Sequence, residues 1–554
     1  MLTTLILWVY ITFILITYGY GSLLLLKRIF SWDQLERIPL PILALLGLMA
    51  VNIIAPALSL LIPLGLIANV IILAGALALF RSAWRYINLS HTFKLPDALS
   101  LFIILLAGWL ILENSTHVPS NPDTNLYHAQ TIHWIESFRA VPGLGNLHTR
   151  LAYNSNWLVL NALFSFAFLG IQSFHALPGI LALLCALYFF HGIFEIDFHK
   201  FRLSPLIRLF LFPITFQIWA SEFSSPGTDL PVSLLIWVVL TLWLEAYERD
   251  ESLWGWRAGI GFVLSLTAIT FKVSAFPLLL LPIYTWIKSI SKKQFKICLM
   301  IPLLGIIALL PWMVRNLIVS GYWIYPIPIL VPLSPVVDWR MPPESIAGEV
   351  RGITSWARQF SLQPDISSAP LWEWMPFWLS KQTLTQRFIL LIAALLPPFF
   401  GIYALIKRRV LHPVWISAYA GVLFWLLSVP SFRFGYGFLI VMCLLILSPI
   451  VIALAGLTKV NGLMPAVKWG LILYLGVMLF LSTDFPSLTS RWLLPESYRD
   501  FSTVPCNIGD VAIQCAKRYN QCGYQAFPCV PKANPLLELR GPTLQDGFRI
   551  SPAN

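Results

Sequence analysis

Asn121-Pro122-Asp123-Thr124-Asn125-Leu126-Tyr127-His128-Ala129-Gln130 opens a polar stretch that runs through Val141-Pro142-Gly143-Leu144-Gly145-Asn146-Leu147-His148-Thr149-Arg150 to Asn154-Ser155-Asn156-Trp157. Apolar runs at about 98–113 and 177–196 bracket it, each near the length a helix needs to cross a bilayer. Loops that only connect elements are usually about four to six residues long. This one is far longer, and its Asp, His, Gln, Asn and Arg have no packing reason to gather beside lipid. Polar groups at a membrane boundary are where chemistry is expected.

Outward from that loop the chain is greasy. It is 58% hydrophobic and only 11% charged, with a mean hydropathy of +0.76, whereas soluble chains carry about a quarter charged residues. Lipid offers the backbone no hydrogen-bond partner, so repeated apolar runs read as helices. The expected class is an all-α polytopic membrane protein of about fourteen transmembrane helices. Candidate spans are 1–26, 38–56, 57–80, 98–113, 177–196, 206–221, 231–247, 258–271, 275–288, 297–316, 388–406, 411–428, 438–457 and 467–482. The first is read as a retained span ending at Lys27 and Arg28, because no basic residue precedes it and it outruns a signal core.

A net charge of +12 does not imply nucleic acid, because the basic residues are spread over short loops. The clusters are Lys27/Arg28/Arg37, Arg81/Arg85/Lys94, Lys200/Arg202/Arg208, Arg249/Arg257, Lys288/Lys292/Lys293/Lys296, Lys407/Arg408/Arg409 and Lys459/Lys468. Under the positive-inside rule all of them face the cytoplasm. The segment Trp157–Phe174 is apolar enough to span, yet a crossing there would invert everything after it. It reads as a juxtamembrane or re-entrant helix, with an extra short crossing nearby as the open alternative. The segments 114–156, 222–230, 272–275, 317–387, 429–437 and the tail from 483 then share the outer face. This divides the chain into N-terminal hairpins (1–97), a core with outer loops 114–156 and 317–387 (98–482), and an outer tail (483–554).

The cysteines give an independent check on sidedness. Cys185, Cys298 and Cys443 sit alone in apolar spans, where a thiol acts as a small hydrophobe. Cys506, Cys515, Cys522 and Cys529 crowd into the polar tail and suggest two disulfides of open pairing in an oxidising compartment. Their spacing lacks the paired knuckles of a zinc site.

Asp123 is the first candidate for chemistry. Asn121 suits an N-cap and Pro122 a first helical position, which sets Asp123 in the first turn near the positive end of the helix dipole. Asp123, Tyr127 and Gln130 are then expected on one face. A helix-start carboxylate is the bland reading; a general base or metal ligand is the sharper one. Asp229, with Glu222 in the same outer turn, gives the same choice: carboxylates from separate loops can gather round Mg²⁺ or Mn²⁺ or position a hydroxyl. Lys272 and Arg433 are outward basic residues that break the charge pattern and suit a phosphate, with snorkelling as the equal alternative for Lys272. His128, His133 and His148 have no ligand spacing for zinc. One of them bonding substrate is a fair expectation, as it is for Arg150. The aromatic residues of 317–387, Tyr322, Trp323, Tyr325, Trp339, Trp356, Trp372, Trp374 and Trp378, read mainly as an interfacial belt, with stacking of one or two on a sugar as the open alternative.

This pattern resembles the GT-C superfamily of polytopic glycosyltransferases that use polyprenyl-phosphate sugars. Within it, Asp123, Leu126-Tyr127-His128, Gln130 and Val141–His148 resemble a bacterial family of largely uncharacterised GT-C-like membrane proteins. The resemblance implies that Asp123 is the first-loop acidic residue used in catalysis or metal binding, and that Asp229 is the acidic residue of a later outer turn. It implies that Lys272 contacts the lipid phosphate and that Arg433 is a basic residue before a late span. Tyr127, His128, Gln130, His148, Arg150 and Glu222 fall in with them as substrate-binding candidates. The chain departs from the pattern in lacking the second acidic residue that many members pair with the one matched by Asp123. The expectation is transfer of a sugar from a polyprenyl-phosphate donor to a glycan, lipid or protein, at the outer face of a bacterial inner membrane, with membrane lipids and no nucleic acid as partners. The alternatives are a transporter or flippase, and a polymerase or ligase of lipid-linked saccharides leaning on Arg340, Arg351 and Arg358.

Overall fold

Long apolar helices follow one another because nearly every window of the chain lacks the charge that would stop them. A computed structural model describes residues 1–32, 38–90, 96–196, 202–327, 332–407, 412–456, 463–483, 485–509 and 511–551. Of the basic clusters, Arg37, Lys94, Lys200, Arg408, Arg409 and Lys459 lie outside the described residues. Among those described, eleven helices are long and apolar enough to cross a membrane. Shorter apolar helices lie at Ala98–Asn114, Trp256–Phe271 and Pro413–Ser428. The helices Leu2–Phe30 and Leu40–Ser59 pack tightest. At their crossing a Cβ on Gly19 or Gly47 would collide with the carbonyl oxygen of Leu43 or Leu15, the close approach that small residues permit between membrane helices.

The ambiguous segment carries no helix long and apolar enough to cross a membrane. It forms a buried helix of eight residues, Asn156–Leu163, roughly 12 Å long at 1.5 Å per residue, far short of a bilayer. The chain then doubles back, with Phe174 N donating to Ser165 O at 2.8 Å. Asn69 Nδ2 caps the helix end at Leu163 O (2.9 Å) and Asn156 Nδ2 bonds Asn52 O (3.2 Å), which ties both ends of the helix into the bundle.

One end of the bundle gathers the long loops and the tail. Met1 N donates to Arg491 O at 2.6 Å, Ala140 N to Ser59 O at 2.7 Å, and Gly143 N to Ile318 O at 2.8 Å. Arg491 and Glu113 form a buried pair at 3.0 Å that pins the tail to the helix Ala98–Asn114. The tail folds as strands Thr503–Ile508 and Val511–Ala516 in antiparallel register, with Cys529–Val530 parallel to the second. A second pair, Leu537–Leu539 and Phe548–Ile550, docks on the first loop through Phe548 N to Pro142 O (2.9 Å). The disulfides are Cys506–Cys515 and Cys522–Cys529. The opposite end holds Lys296 against Arg28 O (3.3 Å) and Lys468 against Asp97 (2.6 Å).

Candidate functional site

Asn121 caps the first-loop helix as its sequence implies, its Oδ1 accepting from Asp123 N at 2.9 Å. The helix then departs from regular geometry: Thr124–His128 forms a π-turn before the α-helix Ala129–Ser137. A π-turn inserts one residue, about 100° of rotation, into the helical phase. That overturns the expected common face of Asp123, Tyr127 and Gln130. Asp123 and Tyr127 line a cavity, whereas Gln130 turns to the tail. Its Nε2 donates to Gly523 O (3.0 Å) and Ala526 O (2.8 Å), and its Oε1 accepts from Cys529 N (3.0 Å). His133 stacks on Tyr524 and Phe527, with centroids 4.4 and 3.9 Å away, and bonds Tyr524 O. The loop closed by Cys522–Cys529 is therefore a clamp on the helix that carries Asp123.

Asp123 belongs to a chain of alternating charge drawn from five parts of the sequence. Glu349 Oε1 lies 3.4 Å from Arg150 Nε, and Arg150 Nη1 lies 3.5 Å from Asp123 Oδ1. Asp123 Oδ2 pairs with Arg433 Nη2, and Arg433 Nε lies 3.1 Å from Asp229 Oδ2. Asp229 Oδ1 pairs with Lys272 Nζ, which also rests 3.5 Å from the centre of the Phe434 ring. Three carboxylates and three cations thus balance. Burial works to raise the Asp123 carboxyl, but Arg433, His128 and Arg150 together hold it below the usual carboxylate value. Arg433 was expected in the loop 429–437. It instead lies in the first turn of the helix Phe432–Gly456, which starts earlier than the apolar run because Phe432, Phe434 and Tyr436 are buried or half-buried against neighbouring helices.

The cavity beside this chain measures about 650 Å³, a size suited to a small organic ligand. Asp123, Arg150, Asp229, Lys272 and Arg433 line it together with apolar side chains of membrane helices, among them Leu158, Ile269, Phe424 and Phe438. Tyr127 and His128 line it as the sequence implied; burial pushes the His128 imidazole down to about 4, so it is neutral near pH 7.

Three other candidates fall outside the lining. Gln130 serves the clamp. His148 ends the short turn Leu144–Leu147, its imidazole pushed down to about 3 by burial and then by Arg150. Glu222 accepts from Asn121 Nδ2 at 3.0 Å and so buttresses the cap of the Asp123 helix. Sequence reasoning passed over Glu349, Tyr153 and Asn316, and named Tyr325 only among the aromatic residues of 317–387. Glu349 accepts from Thr149 Oγ1 (2.9 Å) and Tyr153 Oη (3.0 Å), and the other three line the cavity.

The residues do not fit the divalent ion considered for Asp123 and Asp229. A guanidinium bridges the two carboxylates, and no group of three or more His, Cys, Asp or Glu side chains able to hold a metal occurs among the described residues.

Fold and site together define an all-α polytopic membrane protein with a charged, partly apolar cavity at the end of its bundle. The chain belongs to the family described as a domain of unknown function, DUF8201, whose model matches residues 1–440. No curated protein and no solved structure matches it.

Proposed function

We propose that this protein is a GT-C-type glycosyltransferase that moves a sugar from a polyprenyl-phosphate donor to a glycan, lipid or protein acceptor. The observation that carries this reading is the amphipathic cavity, which Lys272 and Arg433 line together with apolar side chains such as Ile269, Phe424 and Phe438. That combination suits a phosphate head on a hydrocarbon chain.

Asp123 is the base. Asp229 has both oxygens committed, one to Lys272 and one to Arg433, so it orients the two cations. Asp123 Oδ1 has only the long contact to Arg150. In the proposed step Asp123 takes the proton of the acceptor hydroxyl as that oxygen bonds to the anomeric carbon from the face opposite the phosphate. The bond from that carbon to the phosphate oxygen breaks with its electron pair, and Lys272 and Arg433 steady the departing lipid phosphate. The anomeric configuration inverts, and no leaving-group acid is needed.

The cavity end is the outer one in this reading, facing the periplasm or exterior of a bacterial inner membrane with about fourteen crossings. Arg28, Lys296 and Lys468 lie at the other end, where positive-inside bias belongs, and two disulfides suit an oxidising compartment. The arginines a polymerase would use are engaged in the loop itself. Arg358 holds the carbonyls of Ile366, Ser367 and Ala369, Arg351 pairs with Asp365, and neither lines the cavity. The test is Asp123→Asn assayed in membranes with labelled polyprenyl-phosphate sugars. Full transfer at normal expression removes the assignment.

A further inference from the structure

The charged chain accounts for the cations and carboxylates of the cavity, but not for its neutral polar groups. Among the described residues, both ring nitrogens of His128, Nδ2 of Asn316 and the hydroxyl of Tyr325 have no hydrogen-bond partner, and these residues are only 2%, 1% and 3% exposed. All three line the cavity. Buried polar atoms are paired in the great majority of cases, so such a concentration calls for a ligand that completes it.

The surrounding surface indicates what kind of ligand. Tyr127, Tyr153 and Tyr325 follow one another at ring-centre distances of 6.0 and 5.5 Å, giving a run of aromatic faces. His128 abuts the first of them at 4.3 Å. Asn316 lies one helical turn from Trp312, which bonds the backbone of Asn154 at 2.7 Å, next to Tyr153. Hydroxyl, amide and imidazole groups beside aromatic faces match a polyhydroxylated ring, whose edges donate and accept while its C–H faces stack. Meanwhile each charged residue lining the cavity already has an opposite charge as partner. An ionised sugar substituent seated among His128, Asn316 and Tyr325 would meet only neutral groups, and leaving a charge unpaired in a desolvated site is costly.

We propose that His128, Asn316 and Tyr325 form the glycosyl subsite and that it takes an uncharged sugar, not a uronic acid or an amino sugar. This rests on the lipid-phosphate reading above and adds the class of the group transferred.

The experiment measures binding to the full chain in lipid nanodiscs. The probes are farnesyl phosphate, its glucosyl, galactosyl, mannosyl and arabinosyl esters, and its glucuronosyl and 4-amino-4-deoxyarabinosyl esters. At least one neutral ester is expected to bind about tenfold tighter than farnesyl phosphate, and tighter than both charged esters. Tyr325→Phe, which keeps the ring and its packing, and Asn316→Ala are expected to remove that gain while binding farnesyl phosphate as the wild type does. The proposal is overturned if a charged ester binds tightest, if no neutral ester gains over farnesyl phosphate, or if both variants weaken every probe equally. Failure of all probes, farnesyl phosphate included, defeats the lipid-phosphate reading and this proposal with it.

Discussion

Two buried charge networks occupy opposite ends of this bundle, and only one of them borders the cavity. At the end away from it, Arg208 lies 3.2 Å from Glu195 and 3.7 Å from Glu245, Arg249 pairs with both, and Arg257 pairs with Glu245 at 3.1 Å and with Glu251. Arg208 also donates twice to Tyr188 O and stacks on the Tyr188 ring. Its side chain is 1% exposed and that of Glu245 3%. These residues tie together the ends of four helices, and none of them lines the cavity. At the cavity end the side chains of Asp123 and Arg433 remain 22% and 30% exposed, and their chain is held at one point only by the 3.5 Å contact of Arg150. Burial of charge alone is therefore not the mark of a site here. Unspent hydrogen-bonding capacity beside a cavity is.

The sharpest way to break this contrast is a pair of isosteric changes. Asp123→Asn is expected to lower transfer by about 10²–10⁴-fold, the usual worth of a general base, while the purified protein keeps its melting temperature. Glu245→Gln is expected to do the reverse. It leaves Arg208, Arg249 and Arg257 short of a counter-charge, a loss of about 3–5 kcal/mol for a buried pair, seen as a lower melting temperature and poor yield. If the two variants exchange phenotypes, the roles assigned to the two networks are wrong.

Arg433→Ala addresses the cavity network from inside. It removes the bridge and leaves Asp123 and Asp229 facing one space without it, the arrangement that hard divalent cations seek. The variant is expected to bind Mn²⁺ in an electron paramagnetic resonance titration at concentrations where the wild type binds none. Equal binding by both would mean that the guanidinium does not stand in the cation's place.

The same contrast explains how much was legible from residues alone. Asp123, Asp229, Lys272 and Arg433 stood out because each is a charge that the membrane-spanning pattern does not need, and the structure brings all four into one chain. Gln130 was misplaced because a π-turn leaves no compositional trace: Thr124–His128 looks like ordinary helix, yet it shifts every later side chain by one residue. Glu349 lies in the amphipathic helix Pro343–Gln359, whose pattern reads as an interfacial element until its contact with Arg150 is seen. Asn316 and Tyr325 were hidden inside a span and an aromatic belt. Their importance lies in missing partners, and absence of a partner is a three-dimensional property. The helix Asn156–Leu163 was half legible: parity of the basic loops argued against a crossing, and its eight residues are too few to span a bilayer as one helix.

The smallest expected effect concerns a third way of burying charge, a lone acid with no cation. Glu136 sits at the clamp, accepting from the Tyr524 hydroxyl and from Ser173 Oγ at 2.8 Å. Burial pushes its carboxyl up to about 7 from an ordinary 4.5, with the hydrogen bonds from Ser165, Tyr524 and Ser173 opposing the rise. The docked state therefore holds a proton that an undocked Glu136 releases near pH 4.5. Docking strength is fully present below that value, declines as pH rises toward about 7, and stays flat above it. Cys522 N and Gly523 N both donate to Asn125 O at 3.0 Å, so their amide exchange, corrected for intrinsic rates, reports the clamp. Protection is expected to fall modestly between pH 5 and 7.5 in the wild type and to lose most of that slope in Glu136→Gln, whose side chain cannot ionise. A slope that survives in the variant would place the proton elsewhere, and the clamp would then hold the Asp123 helix through Gln130, the stacked His133 and the bonds to Asn125 O, without a contribution from Glu136.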